Sequence, residues 1–202
     1  VTRITVSGLG ERHLRAERAT LTATVAMAHP QRDQSMALGE SAHARIAERA
    51  VVLRGTGAAT WHSIDVLTTR VRVWTDKDGA QHRDHVTSGT VRIKLGRLDL
   101  VADVVAELSA LGATVSTAWA LTEATRDGVT RELRTAAVRD ARAKADDFAA
   151  ALGVAVTDVA ILRESPTSGS PAIRGSQGGA REELTVPEIT VAVAVSGEYD
   201  TN

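Results

Sequence analysis

The chain has 202 residues, a formal net charge of −1, and 43% hydrophobic against 24% charged residues, the make-up of an ordinary soluble globular protein. A chain this long buries about 70% of the surface its unfolded form exposes, so one domain over residues 1–202 is the economical expectation. Near-neutral charge excludes a general attraction to nucleic acid or an anionic membrane, 2% aromatics argue against a platform for stacking bases or sugars, and zero cysteines exclude disulfides, thiolate metal sites and cysteine nucleophiles.

Arg3–Ser7 reads as a short strand ended by Gly8 and Gly10. Leu21, Ala23, Val25 and Met27 alternate with Thr20, Thr22 and Thr24, which predicts a half-buried strand over Ala19–Ala28. Helical spacing over Asp33–Leu53 stops at Gly55 and Gly57. Two strands at about Ser63–Thr75 and Asp84–Gly96 flank Asp76-Lys77-Asp78-Gly79, which is hairpin turn chemistry. A helix over Leu98–Leu111 and a strand over Thr114–Thr122 lead into a long helix, roughly Thr125–Leu152. In that helix Leu133, Ala137, Ala141, Ala145, Phe148 and Leu152 form one thin apolar face, and alanine lets a helix sit close against a sheet. Val156–Arg163 reads as a strand, Ser165–Arg181 as a mobile loop rich in Ser, Gly and Pro ending at about residue 182, and Glu183–Glu198 as the last strand. The order β-β-α-β-β-α-β-α-β-β predicts an α+β fold with a largely antiparallel sheet and helices packed on one face.

No stretch approaches the roughly 18 apolar residues of a membrane helix, so no integral membrane segment is expected. The opening VTRITVSG reads as a strand and not as a signal peptide. Val1 suits an alternative start codon, which points to the cytoplasm; the cell envelope or secretion is the alternative if a signal was removed.

Three ordered stretches carry a family resemblance. Ile4-Thr5-Val6-Ser7-Gly8-Leu9-Gly10 is followed by the strand Ala19–Val25; Thr90–Leu95, Leu98–Val105 and Gly112-Ala113 follow; and Ala136-Ala137, Asp140–Ala145 and Ala151-Leu152-Gly153-Val154 form an alanine-repeat helix running into Leu-Gly. In this order and spacing the chain resembles the SIMPL domain family, also called DUF541, over nearly its whole length. It departs at Ala16-Glu17, where members often carry Pro-Asp, and at Asp84-His85, where they often carry Gly-Tyr. The resemblance implies an α+β domain that assembles or engages protein partners, with indirect links to stress responses. It supplies no catalytic motif.

Among the residues themselves, His82 and His85 with Asp78 and Asp76 form the best metal candidate. Two imidazoles and a carboxylate suit zinc, but residues three apart in a strand face opposite ways, so the set converges only if the segment is a loop. Glu40-x-x-His43 has the spacing of helical carboxylate metal sites and lacks their second copy. Gly8-Leu9-Gly10 lacks the third glycine and the following helix of a dinucleotide fingerprint. Arg70, Arg72, Trp74, Arg92 and Lys94 fall on one hairpin face if Val71, Val73, Val91, Ile93 and Leu95 face the core, giving a basic stripe for an anionic partner or an ordinary solvated face. The uncharged faces Thr20/Thr22/Thr24 and Thr190/Ala192/Ala194/Ser196 require a cover, either the alanine-faced helix or another subunit. These features predict a non-catalytic homo-oligomer acting by self-assembly or protein contact, without a cofactor; the alternative is a small-ligand or metal-binding protein using the His82/His85 end of the hairpin.

Overall fold

A computed structural model describes residues 2–165, 173–174 and 185–202. The chain divides into two compact units, one made of Val1–Ala16 with Leu121–Asn202, the other of Glu17–Ala120. Each is an antiparallel sheet with helix on one face, so the α+β class and the element order stand.

In the first unit, β1 (Arg3–Arg15) pairs with β9 (Glu188–Thr201), and β9 pairs with β7 (Val156–Ser165) and with the two-residue β8 (Ile173–Arg174). The helix α3 (Glu123–Ala151) packs on β1 and β9, and Thr122 starts it by accepting the Thr125 N–H at 3.3 Å. Ala137, Ala141, Ala145 and Ala149 are fully or almost fully buried against Ile4, Val6, Val193, Val195 and Tyr199. Gly8 and Gly10 do not end β1. They lie under α3, where a Cβ on Gly8 would stand 2.6 Å from the Ala141 nitrogen and one on Gly10 would meet the Leu133 carbonyl, so the strand runs on to Arg15 and the glycines are contact points. Phe148 and Leu152 are outside the buried stripe, at 58% and 62% exposure, because an i, i+4 stripe winds around a 3.6-residue helix and has moved to Ala149 by that turn.

In the second unit the sheet order is β3-β5-β2-β6, with β4 also paired to β5; these strands span Ala59–Ile64, Gln81–Leu95, Arg18–His29, Thr114–Ala120 and Thr68–Thr75 respectively. The helix α1 (Arg32–Gly55) and the helix α2 (Val101–Ala110), which follows a 3₁₀ turn at Leu98–Leu100, bury Leu21, Val25, Val91, Ile93 and Leu95 on one face with Ile46, Leu53, Val104 and Leu108. The single strand expected over Ser63–Thr75 is two, because the chain leaves the ladder at Asp65–Leu67. Leu67 turns inward against the core there, and the Asp65 N–H still reaches the Thr90 carbonyl at 2.9 Å. Val71 and Val73 share the side of Val91 and Ile93 but are 45% and 61% exposed, since the distal part of the hairpin makes few contacts with α1.

The loop expected at about 165–182 lies outside the described residues except for Ser165, at the end of β7, and Ile173–Arg174. No described helix is long and apolar enough to cross a membrane.

Candidate interaction surfaces

The hairpin tip is organised by Asp76. Its Oδ1 accepts the Asp78 and Ala80 N–H groups at 3.0 and 2.9 Å, and its Oδ2 lies 2.7 Å from His82 Nε2. The His82 hydrogen bond, with those backbone donors behind it, holds the Asp76 carboxyl below the usual carboxylate range. The His82 ring stacks on Trp74 with 4.3 Å between centroids. Asp84 accepts Arg72 at 2.9 Å and the Trp74 indole N–H at 2.8 Å, and Arg72 first, then Trp74, lowers its pKa. Residues 82 and 85 both lie in β5, so alternation sends the two imidazoles to opposite faces: His82 faces Trp74, and His85 stands opposite Val71 and His29. Asp78 sits in the turn. Among the described residues no three His, Asp or Glu side chains gather in a way that could hold a metal ion.

The basic set is brought together. Cross-strand partners share a face, and the registers put Arg70, Arg72 and Trp74 of β4 on the helix-free face with Arg92 and Lys94 of β5. Trp61 and Ser63 of β3 join them, as do Thr20, Thr22 and Thr24 of β2 and Thr114, Ser116 and Ala118 of β6. Much of the positive charge is already matched: Asp84 holds Arg72, and Asp65 accepts both short bonds from Arg92 at 3.0 Å. Lys94 lies over the Trp61 ring at 5.8 Å, and Arg70 has no ion pair among the described residues. The result is a hydroxyl-rich face on which Arg70 of β4 and Lys94 of β5 have no ion pair among the described residues.

Glu40 is exposed while His43 is buried on the sheet side of α1, so the pair does not converge on one site. The His43 ring packs on Gly89, and its Nε2 has no hydrogen-bond partner among the described residues. About two turns before it on the same helix face, Ser35 donates to the Met27 carbonyl at 2.8 Å, accepts the Thr87 N–H at 3.0 Å and lies 2.9 Å from the Thr87 hydroxyl, which is 2.9 Å from that of Thr69. This buried chain of hydroxyls pins the start of α1 to β4 and β5.

A further feature lies at the outer edge of β1. Asp140 Oδ2 accepts the Leu9 N–H at 2.8 Å, and Lys144 donates to the Ser7 carbonyl at 3.1 Å and to Asp140 at 2.7 Å. Lys144, followed by the Leu9 amide, lowers the Asp140 pKa. The helical pattern alone puts both residues on the solvated side of α3. The i, i+4 spacing of Asp140 and Lys144 beside a Gly-x-Gly strand is the signal that could have found them, because a helix lying on glycines brings its flanking side chains within reach of the strand's edge.

Within its own unit, α3 does not cover the face of Thr190, Ala192, Ala194 and Ser196: its alanines pack on the opposite side of β9, leaving those four residues half-buried. Thr20, Thr22 and Thr24 are half-buried on the face of their sheet opposite α1 and α2.

A family model described as SIMPL, protein of unknown function (DUF541), matches residues 4–199. No curated protein matches the chain.

Proposed function

The chain belongs to the SIMPL (DUF541) family, and from that premise we propose that it acts without catalysis, through contact with protein chains that include copies of itself. The observation that carries this reading is the one-sided covering of both sheets. Each has one face packed by helix, and on the opposite face a patch of half-buried small residues without Lys or Glu, Thr20, Thr22 and Thr24 in one sheet and Thr190, Ala192, Ala194 and Ser196 in the other, set among charged neighbours. Such patches suit association better than solvation.

The character of the perturbed acids supports the non-catalytic part. Among the described residues Asp76, Asp84, Asp99 and Asp140 are the carboxyls held low; none is buried, and each accepts a hydrogen bond from a neighbouring side chain, His82, Arg72, Arg97 and Lys144 respectively. A general acid or base instead needs a group tuned towards neutral pH in a water-excluding site.

Light scattering across a wide concentration range tests the reading directly. A mass that rises with concentration is expected, and a strict monomer at high concentration would remove self-association. Metal analysis of protein purified without a histidine tag tests the alternative at the hairpin end. Stoichiometric zinc that disappears in His85→Ala would replace the contact reading; the expected result is no stoichiometric metal, because His82 and His85 face opposite ways.

A further inference from the structure

We propose that β1 is the strand through which two copies join, edge to edge and antiparallel about Ser7, and that the Asp140–Lys144 pair is a guard that must swing aside for this to happen. The inference rests on the contact reading above and gives it a site and a partner.

On one side β1 pairs with β9, and on the other it has no strand among the described residues. The bonds from α3 to the Ser7 carbonyl and the Leu9 N–H identify the odd-numbered residues as those turning their backbone groups outward. The remaining outward groups of Thr5, Ser7, Leu9 and Glu11 have no protein partner among the described residues. An open edge is a template for a further strand, which proteins usually spoil with Pro, Lys, a bulge or a short strand. β1 has 13 residues, a continuous register with β9, and neither Pro nor Lys. Its protection comes from outside, as two side chains of α3.

The strand is complementary to itself in the register centred on Ser7. Arg3, which Asp200 and Glu198 already hold within the single chain, stands opposite Glu11 of the second copy, Thr5 opposite its Leu9, and Ser7 opposite its Ser7, so the symmetric pair sets two opposite charges across from each other at each end. On the other face Ile4 meets Gly10 and Val6 meets Gly8, large against small. Leu9, 50% exposed in the single chain, is covered. Phe148 and Leu152 follow Asp140 and Lys144 at four-residue intervals, so the exposed Phe148 and Leu152 lie on the flank of α3 that overlooks this edge. A second sheet carrying its own α3 would shield them.

The absence of cysteine makes the test clean. Directly opposed, hydrogen-bonded residues of an antiparallel pair have Cα atoms about 5.5 Å apart, inside the roughly 4.4–6.8 Å span of a disulfide. Under mild oxidation Ser7→Cys is expected to give a covalent dimer, whereas Ser196→Cys, one strand inward on β9, is not. Ser7→Pro, whose lost N–H points away from β9, is expected to abolish the dimer with circular dichroism and melting preserved. Asp140→Ala combined with Lys144→Ala removes the guard and is expected to lower the concentration at which the dimer forms. Glu11→Arg, placing Arg beside the second copy's Arg3, is expected to weaken it by about tenfold, with recovery in the Arg3→Glu, Glu11→Arg double variant. If the protein assembles but Ser7→Pro assembles equally well and Ser7→Cys cross-links no better than Ser196→Cys, the β1 pairing is wrong while the contact reading stands. If wild type and the unguarded variant both stay monomeric at every concentration, the pairing falls together with self-association, and only contact with other proteins remains.

Discussion

Gly8 in β1 sits against the backbone of Ala141 in α3 so closely that a Cβ built on it would stand 2.6 Å from the Ala141 nitrogen and 2.7 Å from its Cβ. Alanine on the helix and glycine on the strand are therefore one device: the helix–sheet spacing is set by two backbones with one methyl layer between them. Gly8→Ala has no flexible side chain to displace, and overpacking of this kind costs about 1–3 kcal/mol. Gly128 offers the contrast, being inside α3 with nothing within 4 Å of where a methyl group would stand. Gly128→Ala is expected to stabilise by roughly 0.5–1 kcal/mol through helix propensity. Urea denaturation of the two variants checks the pair; equal signs would show that α3 does not rest on Gly8 as described.

The buried hydroxyl chain gives a second prediction. Ser35 is fully buried, satisfies the Met27 carbonyl and the Thr87 N–H, and touches the Thr87 hydroxyl. Ser35→Ala strands those groups away from water, for which the cost is about 1–3 kcal/mol. Thr87→Val removes the hydroxyl that Ser35 and Thr69 share. Because the three form one network, a double-mutant cycle of Ser35→Ala and Thr87→Val is expected to show a coupling energy of at least about 0.5 kcal/mol. Additive losses would mean the hydroxyls act independently.

How far the fold is legible in the sequence depends on periodicity and parity. The alanine repeat at Ala137, Ala141 and Ala145 is legible as a sheet-packing stripe, and the structure buries all three completely. The break between β3 and β4 is hidden because Val66 and Leu67 keep the run apolar, yet parity holds the clue. Trp61 and Ser63 face the same side as Arg70 and Arg72, an odd pair with an even pair, which one continuous strand cannot achieve. Gly8 and Gly10 read as stops because glycine lowers strand propensity; their use as contact points depends on what lies above them, which no local pattern encodes. The edge guard is illegible for the same reason, since Asp140 and Lys144 look like any solvated i, i+4 pair until α3 is placed over β1.

The basic face yields a discriminating experiment for an anionic partner. Arg72 and Arg92 are matched by Asp84 and Asp65, whereas Arg70 and Lys94 are not matched among the described residues. If this face takes a polyanion, Arg70→Glu with Lys94→Glu shortens retention on heparin more than Arg72→Glu with Lys94→Glu, because a paired arginine contributes less field to a ligand. Unchanged retention in both double variants would leave the face as solvated sheet surface.

Lowering the pH tests the hairpin through Trp74, whose indole donates to Asp84 at 2.8 Å. The pKa of Asp84 is held down by Arg72 first and by Trp74 second, and that of Asp76 by His82 first. A carboxyl held low in the folded state adds stability that is complete above its unfolded value and is lost as pH falls through its folded value. The loss therefore belongs below the ordinary carboxylate range, and Asp84 and Asp76 stay charged at neutral pH. In a variant with Trp61 and Trp119 replaced by Phe and the stacked His82 replaced by Gln, the Trp74 fluorescence is expected to be flat from neutral pH down to that range and to change as Asp84 takes up its proton. Asp84→Asn should move the spectrum at neutral pH and remove most of the acid transition. A transition centred near neutral pH, or one that survives Asp84→Asn unchanged, would show that another group governs the indole.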